Sequence, residues 1–168
     1  MSAIALSRDD IFAILDEVKD PEVPVLSVVE LGIVRDVRAE AAGVTITLTP
    51  TYSGCPAMRV IEEDITAALA AHGLSPVRIE TVYAPAWTTD WLSEDAKAKL
   101  EAYGIAPPGR AEASGLVSLT RASSSANLRC PYCHARNTEL KSEFGSTACK
   151  AIAYCNACNQ PFEVFKAL

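Results

Sequence analysis

Long apolar runs, basic charge and histidine are what this chain has least of. No apolar stretch among its 168 residues approaches the ~20 needed to span a bilayer. The opening MSAIALSRDDIF has neither the basic segment nor the long apolar core of a secretory signal. A cytoplasmic, reducing setting is therefore expected, where six cysteines serve as metal ligands or reactive thiols rather than disulfides. Basic residues number 15 against 21 acidic ones, and the shortfall lies in residues 1–108, which hold 8 and 17 and net -9. Such an acidic body repels phosphate backbones, which argues against a nucleic-acid platform. Residues 109–168 net +3 and leave that option open only for the tail. With 49% hydrophobic and 21% charged residues and no internal repeat, the composition is that of a globular protein.

Ser7, with Asp10 three residues on, caps a helix whose stripe is Ile11, Ile14, Leu15 and Val18. Asp20-Pro21-Glu22-Val23-Pro24 ends it. Ile33–Arg38 and Val44–Leu48 read as an antiparallel hairpin turning at Ala42-Gly43. Pro56 starts a second helix with the stripe Met58, Ile61, Ile65, Ala68 and Leu69, closed by Gly73. Val77–Val82 is a third strand, parallel to the second through that helical crossover. A third helix is predicted from about Thr89, through Leu92, Ala96 and Leu100, to Gly104.

The expected fold class is thus α+β, a small three-stranded mixed sheet with three helices over residues 1–108. A Gly/Ala/Ser-rich linker with one short strand at Leu116–Leu119 follows over 109–127, and a small metal ribbon occupies 128–168.

Two matched pairs mark that ribbon: CPYC (Cys130, Cys133) and CNAC (Cys155, Cys158), 21 residues apart. Each pair can fold into a knuckle that offers two thiolates, and two knuckles complete a tetrahedron. A closed four-thiolate set favours structural zinc. A rubredoxin-like iron centre uses the same ligands, and a dithiol redox pair is the third reading. Metal knuckles are often followed by a left-handed glycine, whereas His134 and Asn159 stand there in this chain, which predicts strain at His134. His134 itself is expected on the surface. Cys149, in FGSTACKA, is expected to be a buried apolar residue on a strand with Ala151 and Ala153 rather than a fifth ligand.

The sixth cysteine, Cys55 in TPTYSGCPAM, has no cysteine near it in sequence. Beside the start of the second helix, its thiolate is expected to be stabilised by unpaired amides and the helix dipole, with Gly54 allowing close backbone approach. A buried structural cysteine is the competing reading. The only histidine of the body, His72, lies roughly 25 Å away at the other end of the helix, so a Cys–His catalytic dyad is not expected. As a metal ligand, a single thiolate needs carboxylates, a second chain or a partner, and such incomplete ligation suits a carrier that must release its cargo.

KDPEVPVLSVVELGIV, TPTYSGCPA and APAWTTDWLSEDAKAKLEAYGIAPP resemble the metal–sulfur cluster assembly domain family that includes SufT. With the tail CPYC…SEFGSTACKAIAYCNACNQPFEVFK, the whole chain resembles the ribbon-bearing members associated with phenylacetate degradation and the phenylacetyl-CoA epoxidase. The resemblance implies a non-enzymatic factor that matures a metal centre of that monooxygenase, with its reductase or oxygenase subunits as partners. A structural subunit of the epoxidase is the alternative. It further implies that Cys55 holds iron or an iron–sulfur cluster transiently. Asp20 and Glu22 of the DPE motif are then oxygen ligands or partner contacts, or simply cap the turn after the first helix. A homodimer sharing one cluster is also compatible with a lone ligand. Trp87 and Trp91 match the family motif and, four apart on the predicted helix, are read as core.

Overall fold

The computed structural model describes residues 6–40, 42–109 and 128–168, and the linker strand expected at 116–119 lies outside them. The chain divides into two compact units, 1–87 and 88–168.

In the first unit Ser7 opens α1 (Arg8–Asp16) with a reciprocal cap. Its hydroxyl accepts the Asp10 N–H at 3.2 Å, and the Asp10 carboxylate accepts the Ser7 N–H at 2.8 Å. Ile11, Ile14 and Leu15 are buried, as the stripe predicts. Beyond the helix the Asp20 Oδ1 accepts the N–H groups of Glu22 and Val23, each at 2.8 Å, closing a tight turn that brings Val23 and Leu26 into the core. Strands β1 (Val34–Glu40) and β2 (Gly43–Leu48) pair antiparallel. β3 (Val77–Thr81) pairs parallel to β2 after the crossover helix α2 (Ala57–Ala71), giving the order β1-β2-β3. Val44, Ile46 and Leu48 of β2 and Ile61, Ile65 and Leu69 of α2 are all buried. At Gly43 (φ 137) a Cβ would stand 2.3 Å from the Pro76 carbonyl oxygen, so glycine is required where β2 begins beside β3. Gly73 closes α2 in the left-handed region expected of it (φ 78).

The second unit begins with a 3-10 turn, Thr89–Trp91, followed by α3 (Glu94–Ala102). The single helix predicted from Thr89 is therefore interrupted. Leu92 is extended (ψ 127), and Ser93 caps α3 afresh by accepting the Ala96 N–H at 3.0 Å. Strands β4 (Ile105–Ala106), β5 (Thr138–Ser142), β6 (Lys150–Cys155) and β7 (Gln160–Phe165) form one sheet in the order β4-β7-β6-β5. β4 runs parallel to β7, and the other pairs are antiparallel.

Residues 88–108, expected in the body, make contacts with the ribbon: β4 pairs with β7, and the Thr89 N–H donates to the Leu168 carbonyl at 3.1 Å. Trp87 and Trp91 accordingly share no helix. Trp87 is buried in the first unit with its indole N–H donating to the Leu31 carbonyl at 2.9 Å, while Trp91 ends the 3-10 turn half-buried.

Candidate metal centre and thiol site

Each CxxC pair folds through the same local bond. The Cys130 carbonyl accepts the His134 N–H and the Cys155 carbonyl accepts the Asn159 N–H, both at 2.9 Å. The residue after each knuckle is left-handed, His134 with φ 63 and Asn159 with φ 57, as the motif's missing glycines predict. The second knuckle also serves as the turn between β6 and β7, where Cys155 pairs with Gln160.

The four ligand sulfurs lie within 4.8 Å of one another, with Cys130–Cys158 at 3.7 Å and Cys133–Cys155 at 3.5 Å. Thiolates held about 2.3 Å from one tetrahedral ion stand about 3.8 Å apart, so the cage already has the spacing that zinc requires. All four thiols converge on one point, which is the geometry of a metal centre rather than of a single exposed dithiol. The Cys155 pKa is lowered to about 7, first because the Cys158 N–H donates to its sulfur, whereas burial pushes Cys158 up to about 12. An ion held by the four sulfurs would displace the remaining protons, and its binding energy would add to that of the small core of Ala106, Ala151, Ala153, Phe162 and Val164.

Cys149 stays out of this group among the described residues. It is buried, as expected, but lies in the turn directly before β6 rather than on the strand, with its sulfur 3.1 Å from the Thr147 hydroxyl. His134 is exposed, and its Nδ1 lies 3.2 Å from Glu101 Oε1.

Cys55 sits in the first unit, one residue before the Pro56 N-cap of α2. Tyr52-Ser53-Gly54-Cys55 is a tight turn in which the Cys55 N–H points to the Tyr52 carbonyl at 3.4 Å. Gly54 takes φ 86, but a Cβ there would meet nothing within 4 Å. Glycine is thus required by backbone conformation and not by the close approach expected from the sequence.

The charge state of Cys55 also departs from expectation. Burial, the largest influence, raises its pKa above the ordinary value, helped by the carboxylates of Glu22 and Asp20. A hydrogen bond from the Ala57 N–H and one from the Tyr52 hydroxyl lower it without prevailing. On balance the thiol is held above its ordinary range, the opposite direction from the one expected beside a helix start. The charges of Glu22 and Asp20 thus act on Cys55, but among the described residues the group of Cys, His, Asp or Glu side chains gathered closely enough to hold one ion is Cys130, Cys133, Cys155 and Cys158. Asp20 is buried and turn-capping, and Glu22 is half-buried. His72 caps the opposite end of α2, its Nδ1 2.9 Å from the Ala68 carbonyl, and supplies no base to Cys55.

Two residues of these sites carry no clear sequence signal. Tyr52 is marked only by standing three positions before Cys55 in a glycine turn. Glu101 falls, by sequence, within the expected body, yet it sits beside the first knuckle.

A family model described as an iron–sulfur cluster assembly protein matches residues 8–82, and one described as the PaaD zinc beta ribbon domain matches residues 116–166. A protein of Escherichia coli K12, described as one of the subunits of a "Putative 1,2-phenylacetyl-CoA epoxidase", is 43% identical over 95% of this chain and 92% of its own length. An Fe-S protein maturation auxiliary factor of Porphyromonas gingivalis is 38% identical over 56% of this chain and 90% of its own. Among solved structures, the DUF59 domain of Bacillus anthracis superposes with a TM-score of 0.52 at 31% identity, covering 55% of this chain and 90% of that one. The matches meet both parts of the molecule in order: the chain belongs to the PaaD family, in which an iron–sulfur cluster assembly domain precedes a PaaD zinc β-ribbon.

Proposed function

We propose that this protein is a non-enzymatic maturation factor that carries iron or an iron–sulfur cluster to a component of the phenylacetyl-CoA epoxidase system. The observation that carries the reading is the half-buried thiol of Cys55 before α2, on which the charges of Glu22 and Asp20 act. In this reading the carboxylates close in on the ion beside the sulfur, and a soft sulfur with hard oxygens is a mixed set suited to iron(II). A protonated thiol gives up its proton when the ion binds, and the ion's charge offsets the two carboxylates that oppose thiolate formation. One thiolate with two carboxylates is an incomplete set, so an acceptor that offers more thiolates takes the cargo. In this reading the four-cysteine ribbon holds zinc through Cys130, Cys133, Cys155 and Cys158 and docks the acceptor, the reductase or oxygenase. The iron–sulfur maturation factors among the relatives support the carrier role, and the epoxidase subunit supports the client.

A structural role within the epoxidase is the second reading, favoured by the description of the E. coli relative as a subunit. Iron, zinc and acid-labile sulfide per chain, measured in protein purified without oxygen beside Cys55→Ser, separate the two. The carrier reading expects zinc near one per chain in both and iron, with or without sulfide, only in the parent. Equal iron and sulfide in the two proteins, together with co-purification in fixed stoichiometry with the epoxidase, would overturn it in favour of the structural role.

A further inference from the structure

The second unit carries an open groove of about 780 Å³ with a largely apolar lining. Ala106, Val164 and Ala151 stand side by side across β4, β7 and β6 and line it, and Leu140 of β5 extends the lining to the far strand. Four strands span about 14 Å, room for about four extended residues lying across the sheet. Three cations, Arg129, Arg136 and Lys166, also line the groove, against the carboxylates of Glu101 and Glu143. Glu101 lies nearer His134, at 3.2 Å, than Arg129, at 3.9 Å, so it neutralises the groove only in part. At the edge Phe144 is 69% exposed, with the Lys166 ammonium 4.7 Å from its ring centre. Ser142 fixes that turn: its hydroxyl accepts the Phe144 N–H at 3.1 Å and donates to the Phe144 carbonyl at 2.8 Å. A large ring held at a set place in water is the kind of anchor that interfaces bury.

We infer that this groove docks a partner protein through an acidic segment that also carries apolar side chains. The apolar groups fill the groove beside Phe144, and the carboxylates meet Arg129, Arg136 and Lys166. The inference rests on the docking role proposed for the ribbon and names its face and the partner's chemistry. Charge selects this occupant. Residues 110–127 of the same chain hold Arg110 and Arg121 against Glu112, and would add positive charge to a positive rim.

A library of random short peptides displayed on phage, selected on the zinc-loaded full chain, reads the preference without assuming a sequence. Enriched peptides that combine Asp or Glu with Leu, Ile or Phe support the inference. No enrichment, or basic or uncharged winners, overturns it. The tightest peptide is then labelled and titrated by fluorescence anisotropy against the parent, Phe144→Ala, and Arg136→Glu combined with Lys166→Glu. Each variant is checked for zinc content and melting temperature. Affinity should fall by about tenfold or more in both. Phe144 is exposed, so its variant still decides the matter if the charge reversal fails to fold, and unchanged affinity there overturns the inference. Two other occupants would also overturn it. One is a second copy, seen as a dimer in sedimentation that Phe144→Ala dissociates. The other is the chain's own segment, seen as peptide binding only after residues 112–125 are replaced by glycine and serine. Cys55→Ser should bind the peptide as the parent does. Iron that proves independent of Cys55 then removes the carrier reading alone, whereas a peptide that fails while iron follows Cys55 removes this docking face alone.

Discussion

Glu101 Oε1, near the C-terminal end of α3, lies 3.2 Å from His134 Nδ1 and 3.9 Å from Arg129 Nη1. One carboxylate thus touches residues on both flanks of the first metal knuckle. Beside it, Tyr132 of the same knuckle packs over Gly104, where an added Cβ would come within 2.9 Å of the phenol oxygen. α3 is consequently fastened to the metal-binding loop.

His134 holds this position at a cost. Its left-handed backbone strains an L-residue by about 1 kcal/mol, and the Glu101 contact is the compensation. His134→Val, which adds a β-branch to the same conformation, is expected to destabilise the zinc-loaded protein by about 1–2 kcal/mol. His134→Gly should stay near the parent, since relief of strain offsets the lost contact and the added chain entropy. Thermal unfolding of the three proteins reads the difference, and a valine variant as stable as the parent would contradict the strain.

Removal of zinc by a chelator should expose more than residues 128–168. Because β4 pairs with β7 and Glu101 and Gly104 pack on the first knuckle, amides in 94–106 should lose hydrogen-exchange protection together with β6 and β7. Cys130→Ser should produce the same pattern, whereas Cys149→Ala should keep the metal and lower stability by about 1–2 kcal/mol, as befits a small buried side chain. Retained protection over 94–106 after metal loss would assign that helix to the first unit instead.

Asp20 separates a structural role from a ligand role. Its Oδ1 accepts two backbone N–H groups. Asp20→Asn keeps an oxygen there and should fold nearly as well as the parent, while Asp20→Ala leaves those amides without that acceptor and should cost about 1–3 kcal/mol. If the carboxylate also serves the cargo, Asp20→Asn lowers iron bound per chain without lowering the melting temperature. Unchanged iron in Asp20→Asn would restrict Asp20 to the turn.

The β6–β7 pair carries an acid-sensitive bond. Although burial favours the neutral carboxyl of Glu163, hydrogen bonds from Ser146 and Lys150 outweigh it and hold the group below the usual glutamate range. Lys150 is itself buried, with its ammonium 2.9 Å from the carboxylate. A folded pKa below the unfolded one means a contribution fully present above about 4.5 that disappears as pH falls through the folded value. Glu163→Gln should therefore be less stable than the parent by about 1–2 kcal/mol at pH 7, and the gap should close in acid. Because the zinc centre also loses metal in acid, the difference between the two proteins is the measured quantity. A gap that stays constant to pH 3 would deny the shift.

Much of this architecture is legible in the residues because it rests on interactions close in sequence. The Ser7–Asp10 cap, the alternation of Val44, Ile46 and Leu48, the 3.6-residue stripe of α2 and its Gly73 terminus are each decided within a few positions. The paired CxxC spacing announces four ligands, and the residues in the glycine positions, His134 and Asn159, announce left-handed backbone. Tertiary structure alone decided what depends on partners distant in the chain. Leu92, Ala96 and Leu100 recur at a helical period, yet that period does not reveal that Ser93 restarts the helix or that Ile105 and Ala106 find their strand partner in β7. Cys55 shows the limit most clearly. A helix start attracts anions, but burial and the charges of Glu22 and Asp20, more than thirty positions upstream, outweigh it. Local hydrogen bonding and hydrophobic period are written residue by residue, whereas desolvation and the field of remote charges exist only once the chain has folded.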